Sequence, residues 1–270
     1  MRSPSEEPGI RSELTVVERK SKELAEVLGG RRVEAFDDFL ERFLISWVYH
    51  DSALEGVVLT PHELKCAIDQ NIVSDSSLIP TYNEIRAHRI AIGVVYDLVA
   101  RKRANVNLDA IKRVYAALEP ECGDLRLVRY RKDTPLHRLY FHEIAPPEKI
   151  SYRMRRLVEW AGTSQAKNMH PIKLAAKVHF RLMHIYPFSR GSGKLARLMM
   201  NLVLLGNGYQ PAIIHATERQ RYYDVLRQQH SGLTKLICES VINSTEGALR
   251  YFGATEEESL LEQPQRAAAQ

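Results

Sequence analysis

Residues 186–197 read YPFSRGSGKLAR and place a glycine turn immediately before an apolar helix. A helix that begins near Gly193 leaves its first backbone N–H groups unpaired and directs them into the turn. Its macrodipole adds positive potential at the same place. Gly191 and Gly193 allow the backbone to approach a ligand closely. The stretch therefore predicts a binding site for an anion, and for phosphate in particular.

All the charged residues of this turn are cations. Lys194 and Arg197 are three residues apart and share one helix face, and Arg190 adds a third cation from the loop. Ser192 lies between the two glycines. A plain helix–turn–helix with exposed basic residues is the alternative, because short glycine turns are common. A P-loop is excluded, because that motif requires Ser or Thr after its Gly-Lys pair, where this chain has Leu195.

The rest of the chain is dominated by helical periodicity of its apolar residues. Thr60-Pro61, followed by Glu63, predicts a helix start closed by a capping box. Helices are predicted at 14–28, 33–49, from 60 onward, and at 83–103, 108–118, 151–160, 170–184, 193–207, 219–229 and 233–252.

One segment has a different pattern. Residues 125–130 (LRLVRY) and 137–141 (HRLYF) alternate and are rich in β-formers, which predicts a small β-hairpin. The fold class is therefore all-α with a small hairpin, in one domain over residues 13–252. Residues 1–12 and 253–270 are polar and are predicted to be flexible tails.

The composition is that of a soluble globular protein, with 44% apolar and 26% charged residues in 270. No apolar run approaches the ~20 residues of a membrane-spanning helix, and the N-terminus has no apolar signal region. The net charge of +5 is scattered, which argues against a dedicated nucleic-acid binder. Cys66, Cys122 and Cys238 form neither a disulfide framework nor a metal pattern, so a reducing cytoplasm is expected.

In its context, the stretch at 186–197 resembles the Fic family (Fido fold), whose motif is HPFxxGNGRxxR, usually with Asp or Glu before the first glycine. Residues 195–228 resemble the helix after that motif and the following RxxYY segment. Residues 47–64 (WVYHDSALEGVVLTPHEL) resemble the inhibitory segment (S/T)xxxE(G/N). The likeness covers roughly residues 35–250 and implies a helical bundle with a hairpin flap. Most members transfer AMP from ATP to a protein hydroxyl; others transfer different phosphate-containing groups or remove AMP.

The resemblance implies roles for the residues that match. Gly191 and Gly193 would form the anion hole for the donor's phosphates, and Arg197 would hold the outer phosphates. Glu55, followed by Gly56, matches the inhibitory glutamate, which in the family pairs with that arginine. A Glu55–Arg197 salt bridge is therefore implied.

The departures from the motif fall on its chemistry. Tyr186 stands where the family has its general-base histidine, and a tyrosine with a pKa near 10 is a weak base at neutral pH. Arg190 stands where the family has its acidic Mg²⁺ ligand, so neither a metal site nor a role for Mg²⁺ is expected. Ser192 replaces the motif asparagine, Lys194 the first arginine, and Asp51 the Ser or Thr of the inhibitory segment.

Other candidates for the missing base are not favoured. His184 lies two residues before Tyr186, and at about 100° per residue the two side chains point to nearly opposite sides of a helix. His179 is expected to be a helix-surface or core residue, and Tyr222 and Tyr223 are expected to be core residues or pocket wall.

Three interpretations of the activity remain open, and the first two are preferred. The chain is either a nucleotide-binding pseudoenzyme or a transferase with altered chemistry, in which Arg190 replaces the charge of Mg²⁺ and nearby cations favour the phenolate of Tyr186. A conventional or weak AMP transferase is the third alternative. The expected ligand is ATP or another phosphate-containing molecule. The resemblance further implies a target protein docked at the flap, residues 125–141, and self-association through helical faces.

Overall fold

The computed structural model describes residues 8–29, 33–68, 79–122, 124–135, 142–228 and 230–267. Within these ranges the protein is built from α-helices and short 3₁₀ turns, as the periodicity predicts. The helices are α1 (Pro8–Leu28), α2 (Val33–Leu54), α3 (Pro61–Ile68), α4 (Ile79–Ala100), α5 (Leu108–Leu118), α6 (Pro147–Ala161), α7 (Ser164–Lys167), α8 (Pro171–Ile185), α9 (Ser192–Gly206), α10 (Arg219–Arg227) and α11 (His230–Ala267).

Helix α9 is the centre of the bundle. Its sequence is apolar on every side, and a helix of that kind is stable only when other elements surround it. It packs against α8, α4 and α5, while α11 packs against α1 and α8. Asn201 of α9 exchanges two hydrogen bonds with the backbone of Ala212, which fixes the segment that returns from α9 towards α10.

The predicted start of α3 is confirmed. The backbone N–H of Thr60 donates to Oε2 of Glu63 over 2.7 Å, and the N–H of Glu63 donates to Oγ1 of Thr60 over 3.2 Å. These two bonds form the reciprocal capping box and satisfy donors that a helix start leaves unpaired. None of the helices that the structure describes is long and apolar enough to cross a membrane.

The predicted β-hairpin at 125–141 is not seen in the part that the structure describes, residues 125–135. Its first half forms a 3₁₀ turn at Leu125–Leu127, because Asp124 caps that turn by accepting the N–H of Arg126 over 2.8 Å. Further along, the N–H of Arg131 bonds to the carbonyl of Pro187, over 3.0 Å, instead of to a partner strand. The second half, residues 137–141, lies outside the described residues.

The outer helix boundaries differ from the predicted tails. Helix α1 begins at Pro8, inside the predicted tail 1–12, and proline suits the first position of a helix. Helix α11 continues to Ala267, through most of the predicted tail 253–270. The stretch TEEESLLEQ at 255–263 consists mainly of good helix formers, which accounts for the continuation.

Candidate anion site at the start of helix α9

The chain reverses between α8 and α9 at Tyr186. This residue has φ +46° and ψ +66°, a left-handed conformation that a bulky side chain rarely adopts. Its backbone N–H still bonds to the carbonyl of Leu182 over 2.8 Å and ends α8. Such strain persists only where the surroundings enforce it, and it is typical of functional sites.

A buried arginine enforces this conformation. Nε of Arg131 donates to the backbone carbonyl of Tyr186 over 2.7 Å, and its other nitrogens donate to the carbonyls of Asp133 and Ala145. Because Arg131 is nearly buried, its guanidinium depends on these carbonyls, and the reversal is held in place. Sequence analysis missed Arg131, since it lies 55 residues before Tyr186.

The turn itself is closed by Ser192. Its buried hydroxyl donates to the carbonyl of Phe188 and accepts the N–H of the same residue, both over 2.8 Å. The ring of Phe188 stacks on Tyr115, with centroids 3.6 Å apart. Gly191 precedes α9 with φ +66°, a conformation that favours glycine. The hydroxyl of Ser192 is therefore engaged by the turn.

A carboxylate of the protein itself occupies the first turn of α9. A β-carbon placed on Gly193 would overlap Oε1 of Glu55, so glycine is required for this close approach. The same Oε1 accepts a hydrogen bond from Nη2 of Arg197 over 2.9 Å. The predicted Glu55–Arg197 ion pair is present, and an anion lies where the sequence predicts one to bind.

Arg197 belongs to a buried charge network. Its side chain is 1% exposed, and Nε donates to the carboxylate of Asp51. On its other side, Oδ2 of Asp51 lies 3.1 Å from Nε2 of His88, which is fully buried on α4. Burial would raise the pKa of Asp51, but Arg197 and His88 outweigh it and hold that pKa below its ordinary value. Burial lowers the pKa of His88, and the nearby carboxylate of Asp51 only partly offsets this shift.

Tyr222 extends the network on the opposite side. Nη1 of Arg197 lies 3.4 Å from its hydroxyl oxygen, which is 3.0 Å from Nε2 of His179. Burial raises the pKa of Tyr222 well above its ordinary value and lowers the pKa of His179 to about 3. Both side chains are therefore neutral at pH 7 and buried beside Arg197, in agreement with a core position for His179 and a wall position for Tyr222.

The two remaining cations of the turn face carboxylates. Nη2 of Arg190 donates to Oε1 of Glu84 on α4 over 2.6 Å, and its Nε lies 4.0 Å from Oε1 of Glu119. Nζ of Lys194 lies 3.9 Å from Oε2 of Glu84. Burial raises the pKa of Glu119, although Arg190 opposes the shift. Sequence analysis missed both glutamates, because the motif contains no signal for partners that distant in the chain.

These side chains surround a cavity of about 280 Å³. Its lining includes Tyr186 and Gly191, together with three carboxylates and two cations: Glu55, Glu84, Glu119, Arg190 and Lys194. The protein's own carboxylates thus already neutralise the cations of the cradle.

The side chains of the cavity do not fit Mg²⁺. Arg190 cannot coordinate a cation, and it engages both Glu84 and Glu119. Across the residues that the structure describes, no group of three or more His, Cys, Asp or Glu side chains is arranged to hold a metal ion. The backbone donors at the start of α9 and the glycines do fit a phosphate group.

His184 lies apart from this cavity. Its Nδ1 is 2.9 Å from the carbonyl of Phe180, and its ring stacks on that residue with centroids 3.9 Å apart. It lines a different cavity, together with Trp160 and Arg181. The geometry agrees with the expectation that His184 and Tyr186 point in different directions.

A family model described as the Fic/DOC family matches residues 105–204, which run from before α5 into the last turn of α9 and contain the whole glycine turn. Over this segment the chain is similar to the Fic/DOC family. Asp51, Glu55, Glu84 and His88 precede the matched segment. The site is therefore assembled from the matched segment and from residues outside it on α2, α4 and α10 or directly after α2.

Curated relatives of this chain include two proteins named protein adenylyltransferase Fic. The one from Culex quinquefasciatus is 29% identical over 260 residues, which cover 90% of this chain and 50% of the relative. The one from Aedes aegypti is 28% identical over 216 residues, covering 79% of this chain and 42% of the relative. The chain thus spans half or less of the length of these relatives.

Solved structures share the fold. A Fic domain containing signaling protein from Bacteroides thetaiotaomicron superposes with a TM-score of 0.75 at 22% identity, covering 90% of this chain and 98% of its own. Fic-1 from C. elegans superposes with a TM-score of 0.73, also at 22% identity, covering 92% of this chain and 74% of its own. At this level of identity the likeness concerns the Fic fold alone.

Proposed function

We propose that this chain binds a nucleotide or another phosphorylated ligand at the start of α9, and that Glu55 gates the site. We further propose that it does not perform standard Mg²⁺-dependent AMP transfer. One observation carries the proposal: the carboxylate of Glu55 lies against Gly193 and bonds to Arg197. It occupies the place that the helix dipole and the first N–H groups of α9 favour for an anion.

The relatives point to an adenine nucleotide as the ligand class to test, since both are named adenylyltransferases. In this Fic fold, Glu55 would leave the start of α9 and a phosphate group would replace its carboxylate. Gly191 and Gly193 would leave room for the phosphate oxygens, and Arg190 and Lys194 would adjust at the rim of the cavity. The chain's own residues supply these contacts without a metal ion.

Two substitutions support the loss of standard transfer. Tyr186 stands at the position of the motif's general base, and the described residues that line the cavity include no histidine. Arg190 stands at the position of the metal ligand and is paired with Glu84. A site with neither base nor metal ligand supports a nucleotide-binding pseudoenzyme best.

A transferase with altered chemistry is the second candidate, and one observation favours it. Tyr186 lines the cavity beside Arg190 and Lys194, and its backbone is held in a strained conformation. Tyr186 is almost fully buried, so its proton would have to leave through the cavity before the phenolate could act as the base for a target hydroxyl. A conventional or weak AMP transferase is disfavoured, because it would need the missing base and metal ligand together.

Nucleotide binding tests the proposal directly. ATP affinity would be measured by calorimetry for the wild type and Glu55→Gly, with Mg²⁺ and with a chelator. We expect at least tenfold tighter binding to Glu55→Gly, independent of Mg²⁺. Glu159→Gln is a matched control, because Glu159 forms an exposed ion pair with Arg156 on α6 and does not line the cavity. Failure of both proteins to bind ATP, ADP, AMP and inorganic phosphate would refute the proposal.

Intact-mass measurement separates the two candidates. Glu55→Gly would be incubated with ATP, alone and with candidate target proteins, and compared with the double variant Glu55→Gly/Tyr186→Phe. A mass increase that requires Tyr186 would establish altered chemistry. Unmodified protein despite bound nucleotide would establish the pseudoenzyme.

Docking of a target protein near residues 125–141 stays part of the proposal. It is supported by Arg131, which joins this segment to the turn through Tyr186 and Pro187.

Self-association and a cytoplasmic location also stay proposals. Cys66 and Cys238 are free and buried, which suits a reducing compartment.

A further inference from the structure

Arg197 is held by two carboxylates from the same end of α2. Asp51 and Glu55 are four residues apart, so they project from the same side of the chain. Nε of Arg197 donates to the carboxylate of Asp51, and Nη2 donates to the carboxylate of Glu55. Nη1 lies near the hydroxyl of Tyr222. Every nitrogen of the guanidinium therefore faces a partner that belongs to the protein.

The two carboxylates differ in how freely they can leave. Asp51 lies within α2, its side chain is 5% exposed, and His88 contacts it from α4. Glu55 follows the last residue of α2, its side chain is 13% exposed, and it lines the cavity. Gly56 comes next with φ +94°. Glu55 can swing into the cavity by side-chain rotation, whereas Asp51 can leave Arg197 only if α2 moves away from α4.

We infer that Asp51 is the permanent counter-ion of Arg197 and restricts the site to ligands with a single phosphate group, such as a nucleoside monophosphate, in preference to a triphosphate. This inference rests on the proposed function, since it names the ligand class of the same site.

The charges of the open site lead to this conclusion. With Glu55 displaced, Arg190 and Lys194 still face Glu84 and Glu119, and Arg197 still faces Asp51. The three cations and the three carboxylates cancel. The remaining attraction for an anion comes from the dipole of α9, which is equivalent to about half a positive elementary charge at the start of the helix. The positive potential at the start of α9 and its few unpaired backbone N–H groups are sufficient to bind one phosphate group. A triphosphate carries several negative charges, and the side chains leave no surplus cation to neutralise them.

The geometry also limits Arg197 to one phosphate. When Glu55 leaves, Nη2 loses that carboxylate but still lies 3.5 Å from the backbone carbonyl of Asp51, and Nε stays with the carboxylate of Asp51 and keeps the guanidinium in place. Nη1 lies 3.3 Å from the position of a β-carbon on Gly193, so the freed edge faces the first turn of α9. Arg197 can therefore add a donor to a phosphate beside Gly193, and it cannot follow a longer chain of phosphates outward.

The test compares AMP, ADP and ATP by calorimetry, in the presence of a chelator and again with Mg²⁺. The proteins are Glu55→Gly, Glu55→Gly/Asp51→Asn and the control Glu55→Gly/Asp38→Asn. Asp38 lies on the same helix and forms an exposed ion pair with Arg42. We expect Glu55→Gly and the control to bind AMP at least as tightly as ATP. In the double variant Glu55→Gly/Asp51→Asn, the ratio of ATP affinity to AMP affinity should rise at least tenfold.

Two results would overturn the inference. One is tighter binding of ATP than of AMP by Glu55→Gly; the other is an unchanged ratio in the folded Asp51→Asn variant. If a thermal melt shows that the double variant is not folded, the ratio of AMP affinity to ATP affinity in Glu55→Gly alone decides the test. If Glu55→Gly binds none of the nucleotides and no inorganic phosphate, the proposed function itself fails, which is a distinguishable result.

Discussion

The carboxylate of Glu55 lies so close to Gly193 that a β-carbon on that glycine would overlap it. Two parts of the chain that are far apart in sequence thus meet at the first turn of α9. This contact places the carboxylate of Glu55 at the start of α9.

Gly193→Ala should therefore destabilise the protein through Glu55. We expect a cost of about 1–3 kcal/mol in the wild type, which is typical of an added methyl group in a filled space. The cost should fall markedly in a Glu55→Gly background, where the overlapping carboxylate is gone. Urea denaturation of the four proteins gives the coupling energy. Equal costs in both backgrounds would show that Glu55 does not restrict Gly193.

Asp51 and Glu55 should contribute unequally to stability. Asp51→Ala leaves the buried guanidinium of Arg197 without its most enclosed partner, and such losses cost roughly 3–5 kcal/mol. Glu55→Ala should cost ~1 kcal/mol, because Asp51 still compensates Arg197 and Glu55 is partly exposed. Denaturant midpoints measure both, with Glu159→Ala as the exposed control, since Glu159 pairs with Arg156 on its own helix. Similar losses for Asp51 and Glu55 would contradict the assignment of Asp51 as the permanent partner.

Stability should fall as the pH drops below about 6.5. Burial lowers the pKa of His179 to about 3 and the pKa of His50 to about 4, from an ordinary value of 6.5. The unfolded chain therefore takes up protons on these histidines between those values while the folded protein does not, which favours unfolding at lower pH. Each histidine contributes up to roughly 1.4 kcal/mol per pH unit in this window.

Urea denaturation at pH 7.5, 6.0 and 5.0 measures this dependence. His179→Gln removes one of the titrating groups, and the loss of stability between pH 6.0 and 5.0 should be smaller than in the wild type. A slope identical to that of the wild type would show that His179 is not a source of the pH dependence.

Arg190→Asp should create a site for a divalent cation. The change removes the cation that engages Glu84 and Glu119 and adds a third carboxylate in its place. Carboxylate oxygens are the ligands that Mg²⁺ and Mn²⁺ prefer. Electron paramagnetic resonance with Mn²⁺ would detect binding to the variant, with the wild type and Arg190→Ser as controls. Equal Mn²⁺ binding by all three proteins would exclude a role for this position in metal exclusion.

Much of the site follows from local sequence. Apolar residues at 195–204 predict a buried helix, and the capping box at Thr60–Glu63 predicts a helix start, because both signals depend on neighbours within a few residues. The resemblance between the Glu55 segment and an inhibitory motif predicts its pairing with Arg197. The β-hairpin prediction was not confirmed, since a side-chain cap at Asp124 and the bond from Arg131 to Pro187 replace strand pairing.

The sequence by itself determined a helical bundle and a glycine turn at the start of α9. Only the tertiary structure decided the charge of the site. Glu84 and Glu119 reach Arg190, and His88 reaches Asp51, because α4 and α5 pack against α9 and α2 packs against α4. Side-chain charges in a sequence are additive, whereas the field at one point depends on distances and burial that the packing of the helices sets.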